Sequence, residues 1–316
     1  MTDIIFTRPL LTAEEMYGEL APAGADEPSL GLCYLAAVTR ENNYKTEIVD
    51  AMALKLKNEE LAKVIAEKNP KVVGVSAVTL SVYNAGDLAK KIKALNKNIK
   101  IIIGGVHVTA LPEETMNKFP EFDIGILGEA EETIIEFLKA LDNKKEPDNI
   151  PGLIIRTNNG LKITAKRPFI KNLDSLPMPA WDLLPDMKKY YHLPAWSLNR
   201  SASALLIKSR GCSNACTYCD RGCFGNLVRA HSADYVMRMI EELYENYEVR
   251  QFRINDDNFI LFKPRLKEIC QKIIEKKLDI KWSCFGRASN ADPDMLALMK
   301  RAGCWQISYG VETGSQ

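Results

Sequence analysis

Cys212, Cys216 and Cys219 form a C-x3-C-x2-C triplet, with Tyr218 immediately before the third cysteine. Three thiolates on one tight loop can hold three irons of a cubane cluster and leave the fourth open to a small molecule. Most iron–sulfur electron carriers supply four cysteines per cluster, so a three-ligand set points to chemistry at the cluster. A structural zinc ion is the alternative, because Cys223 extends the pattern to C-x3-C-x2-C-x3-C. Structural zinc sites usually pair two short knuckles across a longer stretch, and four cysteines in so short a run fit that geometry poorly. Cys223 reads as a spare small residue. Eight cysteines in all, three of them clustered, suit a metal site in a reducing cytoplasm better than a disulfide framework.

The elements that must position this loop read as a strand–helix series. Strands are expected at Ala204–Ser209, Arg250–Asn255, Lys281–Gly286 and Trp305–Gly310, and helices at Ser232–Tyr247, Pro264–Lys276 and Pro293–Ala302. Ser232 and Asp292 are N-cap candidates, the latter followed by proline at the first helical position. With the cysteine loop after its first strand, the series suits a partial (β/α) barrel, whose site lies at the C-terminal strand ends. Upstream, apolar strands at Asp3–Thr7, Thr46–Asp50, Val72–Ala77, Ile99–Gly105 and Phe122–Leu127 alternate with helices at Leu32–Glu41, Asn58–Lys68, Tyr83–Leu95 and Glu131–Leu141. Leu88, Ile92 and Leu95 fall on one face of the third of these helices. This is the pattern of an α/β, doubly wound parallel sheet of Rossmann-like form, which binds ligands outside the carboxyl ends of its strands. Between the halves, Asn158-Asn159-Gly160 marks a hairpin. Prolines from Pro168 to Pro194 then mark an extended connector, in which Trp181, Tyr190, Tyr191 and Trp196 are packing groups. The expected organisation is 1–142, a connector over 143–198, and 199–316.

The 316 residues are 46% hydrophobic and carry a net charge of +1, which gives no electrostatic case for nucleic acid or an anionic membrane. The N-terminus shows no signal-peptide pattern, and the apolar run at Ile101–Ile103 is too short for a membrane span.

The cysteine spacing with Tyr218, after a strand and Ser209-Arg210-Gly211, resembles the radical S-adenosylmethionine (SAM) superfamily. The resemblance implies that Cys212, Cys216 and Cys219 ligate a 4Fe–4S cluster whose open iron is chelated by SAM. Reductive cleavage would then yield a 5′-deoxyadenosyl radical. Asn255-Asp256-Asp257-Asn258-Phe259 matches a D-D-N-F stretch, which implies that Asp257 meets SAM's ammonium, although such residues also favour turns and caps. Arg287 is placed to pair with SAM's carboxylate or to make a surface ion pair. Gly310-Val311-Glu312-Thr313-Gly314-Ser315 resembles a G-V-E-[ST]-G-S stretch whose Glu, here Glu312, contacts the cofactor. Phe224-Gly225-Asn226, Arg229 and Ser232 match the run after the cluster loop, and are expected to shape the loop and cap the next helix. The family core has six βα units, so two are expected to lie outside this sequence.

Four upstream segments resemble cobalamin-binding radical-SAM proteins. They are Leu30–Ala37 (L-G-L-x-Y-L-A-A), Val73–Thr79, Gly104-Gly105-Val106-His107-Val108-Thr109 and Leu127-Gly128-Glu129-Ala130-Glu131. With the radical-SAM half they span nearly the whole chain. The implied cobalamin contacts are Ser76 and Thr79 to the nucleotide tail, the backbone at Gly104, Gly105 and Gly128, and Glu129. Glu129 and Glu131 also suit a helix N-terminus. His107 lies near the corrin edge or is a loop histidine held by backbone hydrogen bonds. A nucleotide or flavin is the alternative ligand, but no G-x-G-x-x-G follows the first strand. No D-x-H-x-x-G frames His107, His192 or His231, so base-off cobalamin without a histidine ligand is expected. A lone Cys33 before the connector argues against a methylthiotransferase. The implied function is methyl transfer to an unactivated carbon of a small-molecule, natural-product or lipid substrate, with flavodoxin or ferredoxin as electron donor. Cyclisation or rearrangement, or a fragment that binds only corrinoid or a cluster, are the alternatives.

Overall fold

The computed structural model describes residues 2–194, 202–311 and 314. Trp196 and Glu312 fall outside these residues.

The first half is built on β1 (Ile4–Arg8), β2 (Thr46–Asp50), β3 (Val72–Ser76), β4 (Lys100–Gly104) and β5 (Ile124–Ile126), followed by β6 (Leu153–Thr157) and β7 (Gly160–Ile163). They form one sheet in the order β2-β1-β3-β4-β5-β6-β7. β1 to β5 pair in parallel, and the expected hairpin joins them as two antiparallel strands. The Val- and Ile-rich strands are buried on both faces, as a doubly wound sheet requires. Ile101 and Ile103 pack with Leu61 and Leu88 on one face, while Ile102 packs with Leu32 and Ile134 on the other. Helices Asn58–Lys68 and Val82–Leu95 therefore cover one face, and Leu30–Glu41 and Glu131–Asp142 cover the other. Leu95 departs from the expected apolar stripe. It ends its helix and is 53% exposed, while Val82, Ala85, Leu88, Ala89 and Ile92 are buried. Two short helices after β4, Val106–Ala110 and Pro112–Lys118, were not evident from periodicity because neither reaches two full turns.

The second half holds β8 (Ser203–Leu206), β9 (Ser209–Arg210), β10 (Arg229–Ala230), β11 (Gln251–Ile254), β12 (Lys281–Arg287) and β13 (Cys304–Gly310). β8, β11, β12 and β13 make a parallel sheet in the order β13-β12-β11-β8, the expected partial barrel. β9 and β10 form a separate antiparallel ribbon at the stem of the cysteine loop. Ser232 Oγ accepts from the Tyr235 amide and Asp292 Oδ1 from the Met295 amide, so both expected caps form.

The connector packs against both halves. Trp181 and Tyr191 are buried, Tyr190 is half-buried, and one continuous apolar cluster runs from Ile4 and Leu32 through Trp181 to Phe252 and Trp282. Among the described residues no helix is long and apolar enough to cross a membrane.

A buried polar knot fixes the connector to the first sheet. Arg8 grips the fully buried Asp50 through Nε and Nη2, both at 2.8 Å, and Tyr191 Oη donates to Asp50 at 2.9 Å. Asp50→Asn leaves Arg8 without its counter-charge. The expected loss is about 3–5 kcal/mol of stability, measured by urea denaturation, as for other broken buried pairs.

Candidate functional site

The cysteine loop runs from Gly211 to Val228, between the two strands of the ribbon. Gly211 has φ +87°, and a Cβ there would meet the Leu227 carbonyl at 2.5 Å, so only glycine lets the loop close beside Cys212. Within the loop the Cys219 amide donates to the Cys216 carbonyl at 3.3 Å. Arg287, at the carboxyl end of β12, donates from Nη1 to Cys216 Sγ at 3.1 Å. A fixed cation there favours the thiolate that metal ligation needs. Asn214 Nδ2 lies 3.3 Å from Cys212 Sγ, and Tyr218 is 68% exposed. Among the described residues no three His, Cys, Asp or Glu side chains converge tightly enough to hold a metal ion. The structure thus brings Cys212, Cys216, Cys219 and Arg287 to one end of the barrel without closing the thiols around a common point.

The D-D-N-F stretch divides into two roles. Asp256 is buried and accepts from the Lys208 amide at 2.6 Å and from Ser209 Oγ at 2.7 Å, so it pins the entry to the ribbon. Asp257 is exposed at the carboxyl end of β11, on the loop's side of the sheet.

The expected cobalamin contacts gather at the carboxyl ends of β3, β4 and β5. Ser76, Gly105, Gly128 and Glu129 line a cleft between the halves, with about 860 Å³ of empty space when its open mouth is included. Its opposite wall comes from the ribbon and the cysteine loop, at Ser209, Arg210, Cys223 and Phe224. Gly104 lines an adjoining apolar cavity with Phe6, Leu32 and Gly74. Thr79 and His107 are not among the residues lining either space, and the Thr79 hydroxyl pairs with His107 Nδ1 at 3.2 Å. His107 lies in the short helix Val106–Ala110, and its ring is held by a side chain, not by the backbone contact expected of a loop histidine.

A Cβ on Gly31 or Gly104 would meet nothing within 4 Å. Packing within the protein does not demand glycine at these positions, and the bare backbone widens the cleft and its neighbour. Gly105 is constrained differently. It has φ +107°, and a Cβ there would strike the Ala77 carbonyl at 2.5 Å. The apolar lining of the space and its position at the strand ends are those of a ligand-binding cleft. Cys223 sits on the cleft wall, its pKa pushed up to about 11, chiefly by burial, which disfavours the thiolate.

Glu129 lines the cleft, yet its carboxylate is already engaged. Oε1 accepts from Arg210 Nη1 at 2.9 Å, both oxygens accept from Arg229 Nη1 at 2.8 Å, and Oε2 accepts from the Ile170 amide at 2.8 Å. Burial alone would raise its pKa, but the Arg210 guanidinium and the other donors outweigh this and hold it below the usual carboxylate range. Glu131 accepts from Arg210 Nη2 at 2.5 Å. Arg210 as a partner of Glu129 is a feature that local sequence pattern does not reveal, because 81 residues separate them.

His231 is the cleft's histidine. Its Nδ1 lies 3.2 Å from Asp174 Oδ1, and Nε2 lies 3.3 Å from Tyr34 Oη. It stacks on Tyr235 with centroids 4.0 Å apart.

Two family descriptions match the chain: "B12 binding domain" over residues 19–138 and "Radical SAM superfamily" over residues 206–316. Both matches, in this order on one chain, place it in the cobalamin-binding radical-SAM family. It is 34% identical over 293 residues to an uncharacterized methyltransferase, PH0819, of Pyrococcus horikoshii, covering 92% of this chain and 62% of that protein. An anaerobic magnesium-protoporphyrin IX monomethyl ester cyclase of Rubrivivax gelatinosus is 26% identical over 296 residues, covering 92% and 52% of the two chains. Among solved structures, the cobalamin-dependent SAM radical enzyme OxsB with aqua-cobalamin and SAM bound shares the fold. Its TM-score is 0.83 at 20% identity, over 99% of this chain and 44% of that one. The chain thus spans roughly half the length of these relatives.

His231 gives a pH prediction. Burial lowers its pKa to about 4 from 6.5, so the folded chain keeps it neutral. The unfolded chain binds the extra proton between those values. This contribution to stability is complete above about pH 6.5 and is lost as the pH falls toward 4, amounting to at most about 3 kcal/mol. Thermal unfolding of His231→Gln should show a flatter pH dependence than the parent over that window.

Proposed function

We propose that this chain forms the cofactor-binding part of a cobalamin-dependent radical-SAM methyltransferase acting on an unactivated carbon. The observation that carries the reading is the shared cleft. One wall is the glycine-bearing strand ends of the first sheet, and the other is the ribbon and loop that bear the cysteine triplet. A corrinoid in that cleft would lie against the cluster loop itself. The bound cofactors would together supply a 5′-deoxyadenosyl radical and a transferable methyl group.

The chain's own residues have separable tasks in this reading. Cys212, Cys216 and Cys219 hold the cluster, and Arg287 sets a positive charge against Cys216 Sγ. Asp257 is exposed at a strand end and offers its carboxylate to SAM's ammonium, while Asp256 is spent on Lys208 and Ser209. Tyr218 flanks the cluster, and Glu312 completes the SAM contacts. Ser76, Thr79, Gly104, Gly105, Gly128 and His107 receive the corrinoid and its tail. Base-off binding without a histidine ligand is supported by His231, whose two ring nitrogens face Asp174 and Tyr34, and by the pairing of His107 with Thr79. A small-molecule, natural-product or lipid substrate, a flavodoxin or ferredoxin donor and a cytoplasmic setting complete the proposal. The cyclase relative keeps cyclisation as the second reading.

Two assays test it independently. Hydroxocobalamin titrated into the chain should give a saturable optical change with one equivalent bound. Anaerobic reconstitution with iron and sulfide, then SAM and dithionite, should release 5′-deoxyadenosine, and Cys216→Ala should abolish the release. Bound corrinoid with no 5′-deoxyadenosine from a cluster-loaded full-length protein would rule out radical catalysis.

A further inference from the structure

Arg210 and Arg229 stand directly opposite each other in the two-residue ribbon that closes the cysteine loop. Like charges in that position repel, and both side chains are at least nine-tenths buried, so water screens them little. The charge that reconciles them comes from the other domain. Glu129 sits between the two guanidiniums and accepts from both, and Glu131 takes the second arm of Arg210. Arg210 lies two residues before Cys212. The same carboxylate also accepts the Ile170 amide of the connector, and Arg229 lies over the Phe169 ring at 4.6 Å.

A buried ion-pair cluster is weak evidence for stability, since desolvation offsets most of the attraction, but it is demanding about geometry. We infer that Glu129 is a positioning residue for the cluster loop: the cobalamin-side domain supplies the carboxylate without which the ribbon stem of the radical-SAM loop does not stay closed. This rests on the functional reading above for the identity of the cluster. The ribbon's dependence on Glu129 does not.

The test uses the full chain. Hydrogen exchange on the cofactor-free protein reports the stem. Glu129→Gln removes the charge and keeps the shape, so the amides of Ser209–Arg210 and Arg229–Ala230 should exchange at least about tenfold faster, with β11 and β12 unchanged. Removing one of the opposed charges as well, in Glu129→Gln with Arg229→Gln, should restore most of the protection. After anaerobic reconstitution the single variant should retain several-fold less iron and sulfide than the parent, and the double variant should recover. Unchanged ribbon exchange in Glu129→Gln overturns the inference. So does a double variant as open as the single one, or a loss of hydroxocobalamin affinity larger than the loss of cluster, which would make Glu129 a direct cofactor contact. A parent chain that shows the exchange pattern but takes up no cluster contradicts the functional reading and leaves the positioning role standing.

Discussion

Two arginines face one another across a two-residue ribbon, and a carboxylate from another domain holds them there. The placement of the cysteine loop depends on this contact. The loop runs from Gly211 to Val228 with little regular structure of its own, so its position is set at its stem. Acidic side chains from three parts of the chain fix that stem. Asp256 after β11 takes the Lys208 amide and Ser209 hydroxyl, Glu129 and Glu131 after β5 take Arg210 and Arg229, and Asp174 in the connector takes His231 and the Ser232 amide. The pairings of Asp256, Glu129 and Glu131 are buried, and each strengthens because it is shielded from water.

The consequence reaches the cleft. Because the stem is bound to the loop after β5, the residues proposed to face a corrinoid and those proposed to carry the cluster belong to one packed unit. The apolar cluster that continues from Ile4 to Trp282 adds to this, and so does Trp181 between the halves. Chemistry that passes between two cofactors needs a fixed separation and orientation, and a shared core with a buried charge knot supplies both more firmly than a flexible connector would.

The division between what the sequence revealed and what it hid follows sequence separation. The cysteine triplet, the strand-end glycines and the caps at Ser232 and Asp292 are local devices, legible because their parts lie within a few residues. The alternation of Val- and Ile-rich strands with amphipathic helices was likewise enough to place the sheets. The knots were not legible. Arg210 meets Glu129 across 81 residues, Tyr34 meets His231 across 197, and Arg8 meets Asp50 across 42. Glu129 illustrates the limit, since a strand-end glutamate beside a glycine invites a ligand role, and only the fold shows its carboxylate already taken. The hairpin at Asn158-Asn159-Gly160 was recognisable as a turn, but its addition to the first sheet depends on the β5–β6 pairing.

The central claim is that the three thiols of the loop hold a cubane with one iron open to SAM. Electron paramagnetic resonance of the anaerobically reconstituted, dithionite-reduced chain tests this most directly, with spectra taken before and after SAM is added. The account predicts an S = 1/2 cubane signal whose g values shift on addition of SAM. A cubane signal indifferent to SAM, or zinc in place of iron, would contradict it.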